Sequence, residues 1–479
     1  MRSAFGSLHV RRGSVLCGVV ACVLLASSGT ALASPTSLSA DSALHVARRS
    51  TVSLGSAVPG CGSSADFNNA QAAADPADPS RLVVSYSAGD GLARFAATSG
   101  DGGTTWSSRV LPGLTACTGN PAGGSAGDPF LAVGRDGRVY SSASWVNFDP
   151  GPVARTGRDV ARGYVSAAAW GGGFEQPVEV DPLVSAQRVQ LLADPEVPGR
   201  VTAFYQHASD VAASDPVGGS ALPLPGDALY VRTSVDGGRT FGVPSLVAVP
   251  LPGHAHVTLG LVRSGSTLVA VRADVDLAAY AAGLATAQAG LAAPAPTPEA
   301  LYAHRSTDGG LTWSDGAYIG TYTLGGGAGF AIPDVASGPE GDVYVTWPEG
   351  SGPSMVRVAR SRDGGQSWST TTAATVAGLA FEPSVAVRAD GHAAVAFYEL
   401  TGDVLSERAA ATTDGAASWS PAASFAPDVS YSALSGSTDG SAVGPFQDLV
   451  ALPDGYGAAF TTLARGHAAV VYSRLVERR

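Results

Sequence analysis

The chain is built from short apolar runs that face one another across polar, glycine-containing turns. The clearest unit runs from Asp128-Pro129-Phe130-Leu131-Ala132-Val133, through the turn Gly134-Arg135-Asp136-Gly137, to Val139-Tyr140. Short apolar runs bounded by turn residues are typical of β-strands. Similar units begin near Ala70, Val189, Val257, Pro333, Pro383 and Asp448, which makes seven in all.

A second pattern, Ser/Thr-x-Asp-Gly-Gly-x-x-Trp, follows most of these units. Full copies are Ser99–Trp106, Ser306–Trp313 and Ser361–Trp368; Ser234–Phe241 ends in Phe, Thr412–Trp419 has Ala416 as its second small residue, and Ala167–Phe174 keeps only Gly171 and the aromatic. The Asp can accept hydrogen bonds from backbone N–H groups ahead of it, and the glycines allow positive φ. We call each copy an Asp turn and expect it to be a structural hairpin turn, outside any functional site.

With these turns the sequence resembles the sialidase-like superfamily of Asp-box (BNR-repeat) β-propellers over nearly its whole length. The resemblance implies an all-β fold, and the seven units predict seven four-stranded antiparallel blades, with six blades as the alternative. The last unit is followed only by the strand-like segment 468–476. We expect Thr51–Leu54 to supply the missing outer strand and so to close the ring between the two chain ends.

Composition and charge narrow the function classes. The 61 Gly and 31 Pro among 479 residues argue against a helical bundle, which needs long runs without either residue. The basic residues are all Arg, and the net charge of −11 without a basic cluster argues against a nucleic-acid partner.

The N-terminus predicts export. Residues 1–33 have a basic start, an apolar stretch and the small-x-small site Ala31-Leu32-Ala33, as a secretory signal peptide has. A transmembrane anchor and a lipoprotein anchored at Cys22 are the alternatives. We expect a flexible linker at 34–49, one propeller domain at 50–479, and a secreted monomer without stable membrane insertion. In an oxidising compartment the two remaining cysteines, Cys61 and Cys117, are expected to form a disulfide.

A functional site is expected on the face opposite the Asp turns, where outer strands cross to inner strands. Carboxylates there could act as the acid, base or nucleophile of glycoside cleavage. The catalytic candidates are Asp128, Glu349, Glu382, Glu399 and Asp448; the substrate-binding candidates are Trp145, Trp347 and Tyr398 as stacking platforms and Arg272 as a clamp. Insertions at 208–227 and 274–298 extend toward this face, as a lid or pocket wall or as tolerated loops. No cofactor is expected, and His254 and His256 are interpreted as surface histidines rather than zinc ligands.

Two departures from the catalytic sialidases bear on the activity. Those enzymes carry an Arg-Ile-Pro motif at the first blade, where this chain has Asp66-Phe67-Asn68-Asn69-Ala70-Gln71. They also use a Tyr activated by a Glu, whereas Tyr398 and Glu399 are adjacent and would face opposite sides of a strand. We therefore disfavour a true exo-sialidase. Another glycoside hydrolase using paired carboxylates, or a non-catalytic propeller that binds glycans or proteins, stays open, with an extracellular glycan as the expected ligand.

Overall fold

The chain folds into seven antiparallel blades arranged as a ring. The computed structural model describes residues 43–53, 66–88, 91–120, 125–146, 162–183, 186–208, 226–279, 298–323, 332–350, 353–435, 443 and 447–478. Each blade has four main strands; in blades 1 to 6 they run in chain order from the inner strand at the channel to the outer strand at the rim, and in blade 7 the N-terminal strand is the outer one. The predicted seven-bladed propeller is confirmed, and the six-bladed alternative is wrong.

The strand bounds follow the seven sequence units. After β1 (Leu44–Thr51), blade 1 has β2 (Phe67–Asp75), β3 (Asp78–Ala88), β4 (Arg94–Ser99) and β5 (Ser107–Val110); blade 2 has β6 (Ser125–Val133), β7 (Val139–Val146), β8 (Arg162–Ala168) and β9 (Val178–Glu179); blade 3 has β10 (Ala186–Ala193), β11 (Val201–Ala208), β12 (Gly226–Ser234) and β13 (Ser245–Ala248); blade 4 has β14 (His254–Ser264), β15 (Thr267–Asp276), β16 (Pro298–Ser306) and β17 (Ala317–Thr323).

The remaining blades complete the ring. Blade 5 has β18 (Asp334–Ser337), β19 (Val343–Glu349), β20 (Ser354–Ser361) and β21 (Ser369–Val376); blade 6 has β22 (Leu379–Val387), β23 (Ala393–Thr401), β24 (Val404–Thr412), β25 (Ala423–Ser424) and β26 (Val429–Ser430); blade 7 has β27 (Asp448–Leu452), β28 (Gly455–Ala464) and β29 (His467–Glu477). A 3-10 turn spans Ala116–Thr118, and a one-turn helix spans Tyr431–Ser435. Among the residues described, no helix is long and apolar enough to cross a membrane.

The N-terminal strand closes the ring, as predicted, but it begins earlier than predicted. Strand β1 pairs antiparallel with β29 from Leu44↔Glu477 to Thr51↔Val471. The strand therefore covers Leu44–Thr51 rather than Thr51–Leu54, and residues 44–49, expected in a flexible linker, belong to blade 7. The reason is packing, because Leu44 is buried in the apolar layer between blades 6 and 7.

The Asp turns join the third and outer strands and form the expected hydrogen bonds. In the first copy Asp101 Oδ1 accepts from the backbone N–H groups of Thr104 and Thr105, both at 2.9 Å. Ser99 Oγ donates to the same carboxylate and accepts from Gly103 N. The four other copies with the Asp repeat this pattern. Gly102 N also donates to Ser80 O near the start of β3, beside the turn from β2, which places both turns on one face.

The opposite face is therefore the end at which the inner strands begin, and we call it the channel mouth. Part of the insertion after β15 lies at this end. Asp276 caps a helical turn there, because its Oδ1 accepts from Ala278 N at 2.8 Å and from Ala279 N at 3.0 Å. Residues 280–297 and 209–225, which hold most of the two insertions, lie outside the described residues.

Candidate functional site

Four inner strands carry the same irregularity near the channel mouth. Each has a β-bulge, and each places a residue other than glycine at positive φ, namely Asn69 (62°), Asp128 (48°), Arg188 (49°) and Glu382 (46°). Such residues cost about 1–3 kcal/mol each and cluster at functional sites, and bulges redirect side chains. The repetition in blades 1, 2, 3 and 6 singles out the mouth as the candidate site.

Asp128 and Arg188 form an ion pair across the mouth. Asp128 Oδ1 lies 3.6 Å from Arg188 Nη1, and the Asp128 side chain keeps 26% of its surface exposed. Arg188 itself is buried, with its guanidinium over the ring of Phe130 and its Nε donating to Thr258 O at 3.3 Å. The pair thus links the inner strands of blades 2, 3 and 4.

Arg94, at the start of the third strand of blade 1, is a second buried cation on this face of the ring. The residue is 0% exposed, and one guanidinium nitrogen donates to Ser87 Oγ. Its Nε and Nη2 have no hydrogen-bond acceptor. Burial lowers the pKa of Arg94 to about 9, against the opposing effect of the Asp128 charge. A buried guanidinium with unused donors is costly unless an anion or another acceptor meets it.

Glu299 and Tyr322 add a carboxyl and a phenol in blade 4. The two residues face each other across β16 and β17. Burial raises the pKa of Glu299 to about 7, although its Oε2 accepts from Asp276 N at 3.3 Å. The hydroxyl of Tyr322 is buried without a hydrogen-bond partner; burial raises its pKa, the Glu299 charge raises it further, and the Arg188 charge opposes the rise. With a pKa of about 7, the carboxyl of Glu299 can hold a proton near neutral pH.

Tyr398 faces a carboxyl other than the one beside it in the sequence. It lies opposite Glu407 across β23 and β24, and its hydroxyl is 2.9 Å from the N and 3.1 Å from the O of Thr461 in blade 7. Burial raises the pKa of Glu407 well above its usual value. Because Tyr398 is fully buried, the expected stacking role is wrong, and its ring packs on Phe381 instead.

Asp448 lies inside the channel rather than at an open site. Its Oδ2 accepts from Ala72 N at 2.9 Å and its Oδ1 is 3.3 Å from Ser384 Oγ. Asp334 Oδ2 is 2.8 Å from the same hydroxyl and accepts from Val385 N. Both carboxyls thus form hydrogen bonds that connect neighbouring blades. They also line a channel cavity of about 370 Å³.

We call Arg94, Asp128, Arg188 and Glu299, in blades 1 to 4, the mouth cluster; the remaining carboxylate candidates lie in blades 5 and 6. Glu382 is buried at its bulge, where its carbonyl accepts from Gln447 Nε2. Glu349 is exposed and pairs with Arg357, while Glu399 is buried beside Arg408 on the side of blade 6 that faces blade 5.

The expected aromatic platforms and the clamp differ from their predicted roles. Trp347 is 2% exposed in the apolar layer between blades 4 and 5, against Gly320, so a sugar cannot stack on it. The side chain of Trp145 lies outside the described residues. Arg272 is engaged by Asp274 at 3.0 Å and His304 at 3.0 Å, beneath Tyr302, so it is a packed structural cation.

The two histidines of β14 share one carboxylate. His254 Nδ1 is 3.0 Å and His256 Nε2 is 3.2 Å from the oxygens of Asp274. His256 is 1% exposed, so its interpretation as a surface histidine is wrong, because β12 covers it at Gly226. No group of His, Cys, Asp or Glu suited to hold a metal ion occurs in the part of the chain that the structure describes.

Cys117 is disulfide-bonded, whereas its pairing with Cys61 stays a prediction. Cys117 lies in the 3-10 turn after β5, with its Sγ 2.9 Å from Leu92 O. Cys61 lies outside the described residues, as does the signal segment 1–33.

Sequence reasoning missed Arg94, Glu299 and Glu407. Arg94 carried a weak signal, since it is one charge within an apolar run. Glu299 begins directly after the predicted insertion, at the start of β16. For Glu407 the signal was register: the two-residue turn Gly402-Asp403 places Tyr398 opposite it.

Comparisons with known proteins concern the fold alone. No protein-family model and no curated protein matches this chain. Solved structures of similar fold include a protein of unknown function from Dyadobacter fermentans (16% identity, 74% of this chain, 95% of that chain, TM-score 0.45), an ulvan lyase (11%, 86%, 95%, 0.49) and the Trypanosoma rangeli sialidase (13%, 90%, 59%, 0.43). With identities this low and TM-scores below 0.5, these likenesses do not extend to a site or an activity.

Proposed function

We propose that the channel mouth binds an acidic extracellular glycan and hydrolyses a glycosidic bond in it. The observation that carries this proposal is Arg94, a fully buried guanidinium with two nitrogens that lack an acceptor. Because Arg94 is 0% exposed, a sugar carboxylate or sulfate would reach these donors only when the residues that cover them move aside, and it would then supply charge-assisted acceptors. Arg188, paired with Asp128, adds a second cation to the same end of the channel.

Two carboxyl groups of different environment, on blades 2 and 4, are the candidates for hydrolysis. Glu299, whose pKa burial raises to about 7, would hold the proton that the leaving sugar oxygen needs. Asp128 is kept beside the Arg188 cation and is partly exposed, so its carboxylate would serve as base or nucleophile. Water is the co-substrate: its hydroxyl joins the anomeric carbon, and its proton replaces the one given to the leaving group.

A second candidate function is glycan binding without cleavage. Of the five carboxylates expected to act in catalysis, Asp448 and Glu399 instead accept backbone N–H groups and hold blades together. A mouth whose remaining carboxylates are likewise structural would bind an acidic sugar through Arg94 and Arg188 alone.

The test is a panel of uronate-, sialate- and sulfate-containing polysaccharides, assayed for new reducing ends and for binding. We expect turnover or binding of at least one acidic glycan. In Arg94→Gln, the affinity for that glycan, or kcat/KM where it is cleaved, should fall about 100-fold. Asp128→Asn and Glu299→Gln separate the two candidates, because they abolish hydrolysis but spare most of the binding. Glu175→Gln and Arg362→Gln, on the opposite face, are the matched controls and should change neither.

Three outcomes decide the proposal. Turnover that survives both carboxylate changes would remove Asp128 and Glu299 from the mechanism. Binding without turnover would favour the second candidate. If the protein neither binds nor cleaves any acidic glycan of the panel, the proposed function is overturned.

Secretion is part of the proposal. Residues 1–33 match a secretory signal in sequence, so we expect the mature chain in the culture medium with its N-terminus near Ser34. N-terminal sequencing of the secreted protein tests this, and retention of Met1 in a cytoplasmic product would contradict it.

A further inference from the structure

A groove opens between blades 5 and 6 because their outer strands differ in length. In blade 5 the outer strand β21 has 8 residues, whereas in blade 6 the corresponding edge is split into β25 and β26, with 2 residues each. Beside β21, the segment 419–422 that leads into β25 forms the other wall. The resulting groove has a volume of about 730 Å³, within the range of about 300–1,000 Å³ usual for ligand sites.

An ion pair lies at the base of this groove. Glu399 pairs with Arg408, and Glu399 Oε1 also accepts from Gly378 N at 3.2 Å. The Glu399 side chain is 7% exposed, whereas that of Arg408 is 32% exposed. The groove thus presents the Arg408 cation, which is partly exposed and can donate hydrogen bonds. The Glu399 carboxylate balances its charge.

The walls of the groove combine one aromatic ring with small side chains. Trp419 is partly buried, and its Nε1 donates to Thr371 Oγ1 at 3.2 Å, which fixes the indole. Thr372–Ala377 form the facing wall, where Thr375 is exposed. Because alanines and threonines dominate this wall, it is flat and has no deep apolar pocket of the kind that a peptide side chain fills.

We infer that this groove binds an uncharged oligosaccharide. The apolar C–H face of a pyranose ring fits against the indole of Trp419, while ring hydroxyls accept from Arg408 and exchange hydrogen bonds with Thr375. The balanced Glu399–Arg408 pair favours a neutral sugar, in contrast to Arg94 at the channel mouth. The inference does not depend on the proposed function, since no residue of the groove belongs to the mouth cluster.

The experiment is calorimetric titration of the full-length mature chain with four neutral hexasaccharides: cellohexaose, xylohexaose, mannohexaose and arabinohexaose. We expect at least one to bind. Thr375→Arg fills the groove from an exposed strand position and should weaken that binding by about tenfold or more. Thr321→Arg is the matched control, at an exposed position on the outer strand of blade 4, and should leave the affinity unchanged.

Further arms separate the groove from the mouth. Arg94→Gln should leave hexasaccharide binding intact, so the groove can be supported even if the mouth proves inactive. Arg408→Gln should weaken binding, with circular dichroism confirming the fold. Absence of binding by all four hexasaccharides, equal affinity of Thr375→Arg and the parent chain, or binding of extended peptides in place of sugars would overturn the inference.

Discussion

Asp334 and Asp448, from blades 5 and 7, lie at hydrogen-bond distance from the single hydroxyl of Ser384 in blade 6, at 2.8 and 3.3 Å. One hydroxyl proton cannot serve both carboxylates when both are charged. Burial raises the pKa of both groups, and for Asp448 the charge of Asp334 raises it further. The pair therefore favours a shared proton and connects three blades at the channel.

The first prediction concerns stability against pH. A carboxyl whose folded pKa lies above its unfolded value of about 3.9 stabilises the fold at low pH, and this stabilisation is lost as pH rises through the folded pKa. We expect Asp448→Asn to flatten the fall in the free energy of unfolding between mildly acidic and alkaline pH. Urea denaturation at a series of pH values between mildly acidic and alkaline measures this free energy. Asp454→Asn, at an exposed position, is the control. An unchanged pH slope in Asp448→Asn would contradict the shared proton.

The second prediction compares two glycines of one Asp turn. Gly103 has φ +86°, and a Cβ there would lie 2.3 Å from the ring of Tyr472, whereas a Cβ at Gly100 would meet nothing within 4 Å. We expect Gly103→Ala to lower the free energy of unfolding by about 3 kcal/mol through strain and overpacking. Gly100→Ala should change it by less than about 0.5 kcal/mol. Chemical denaturation of both variants checks this, and equal stabilities would refute the close approach.

The third prediction concerns ring closure. Strand β1 supplies the outer strand of blade 7, and Arg49 connects it to blade 6 through Phe425 O. A chain that begins at Ala43 should melt like the mature protein. A chain that begins at Leu54 should lose about 3 kcal/mol or more of stability, because the outer edge of β29 is left unpaired. Calorimetry of the two chains decides, and equal melting temperatures would mean that β1 contributes nothing.

The sequence predicted the blades well because their signals are local. Asp turns and glycine hairpins depend on a few consecutive residues, so the copies at Ser99 and Ser306 could be placed without knowledge of the fold. The start of β1 could not, because residues 44–49 form a strand only through pairing with β29, more than 400 residues away. Local composition therefore suggested a linker.

The candidate site was less predictable, because burial between blades decides what each side chain can do. Trp347 ends a strand near the expected face, yet blade 4 covers its ring. Arg94 looked like one polar position in an apolar strand, and its unused donors become visible only beside Ser87 and Asp128. Residue type alone therefore predicted carboxylates on the face of the channel mouth but could not select among them.

The last prediction concerns the pH dependence of hydrolysis at the channel mouth. Glu299 must hold its proton to act as the acid, and burial raises its pKa to about 7. We therefore expect kcat/KM on an acidic glycan to fall as pH rises through about 7, because the carboxyl loses that proton. Glu299→Gln should remove this fall in kcat/KM at higher pH together with most of the activity. Glu175→Gln, on the opposite face, should keep the pH dependence of the parent enzyme. A Glu299→Gln enzyme with unchanged rate and pH dependence would exclude Glu299 as the acid and leave binding through Arg94 as the role of the mouth.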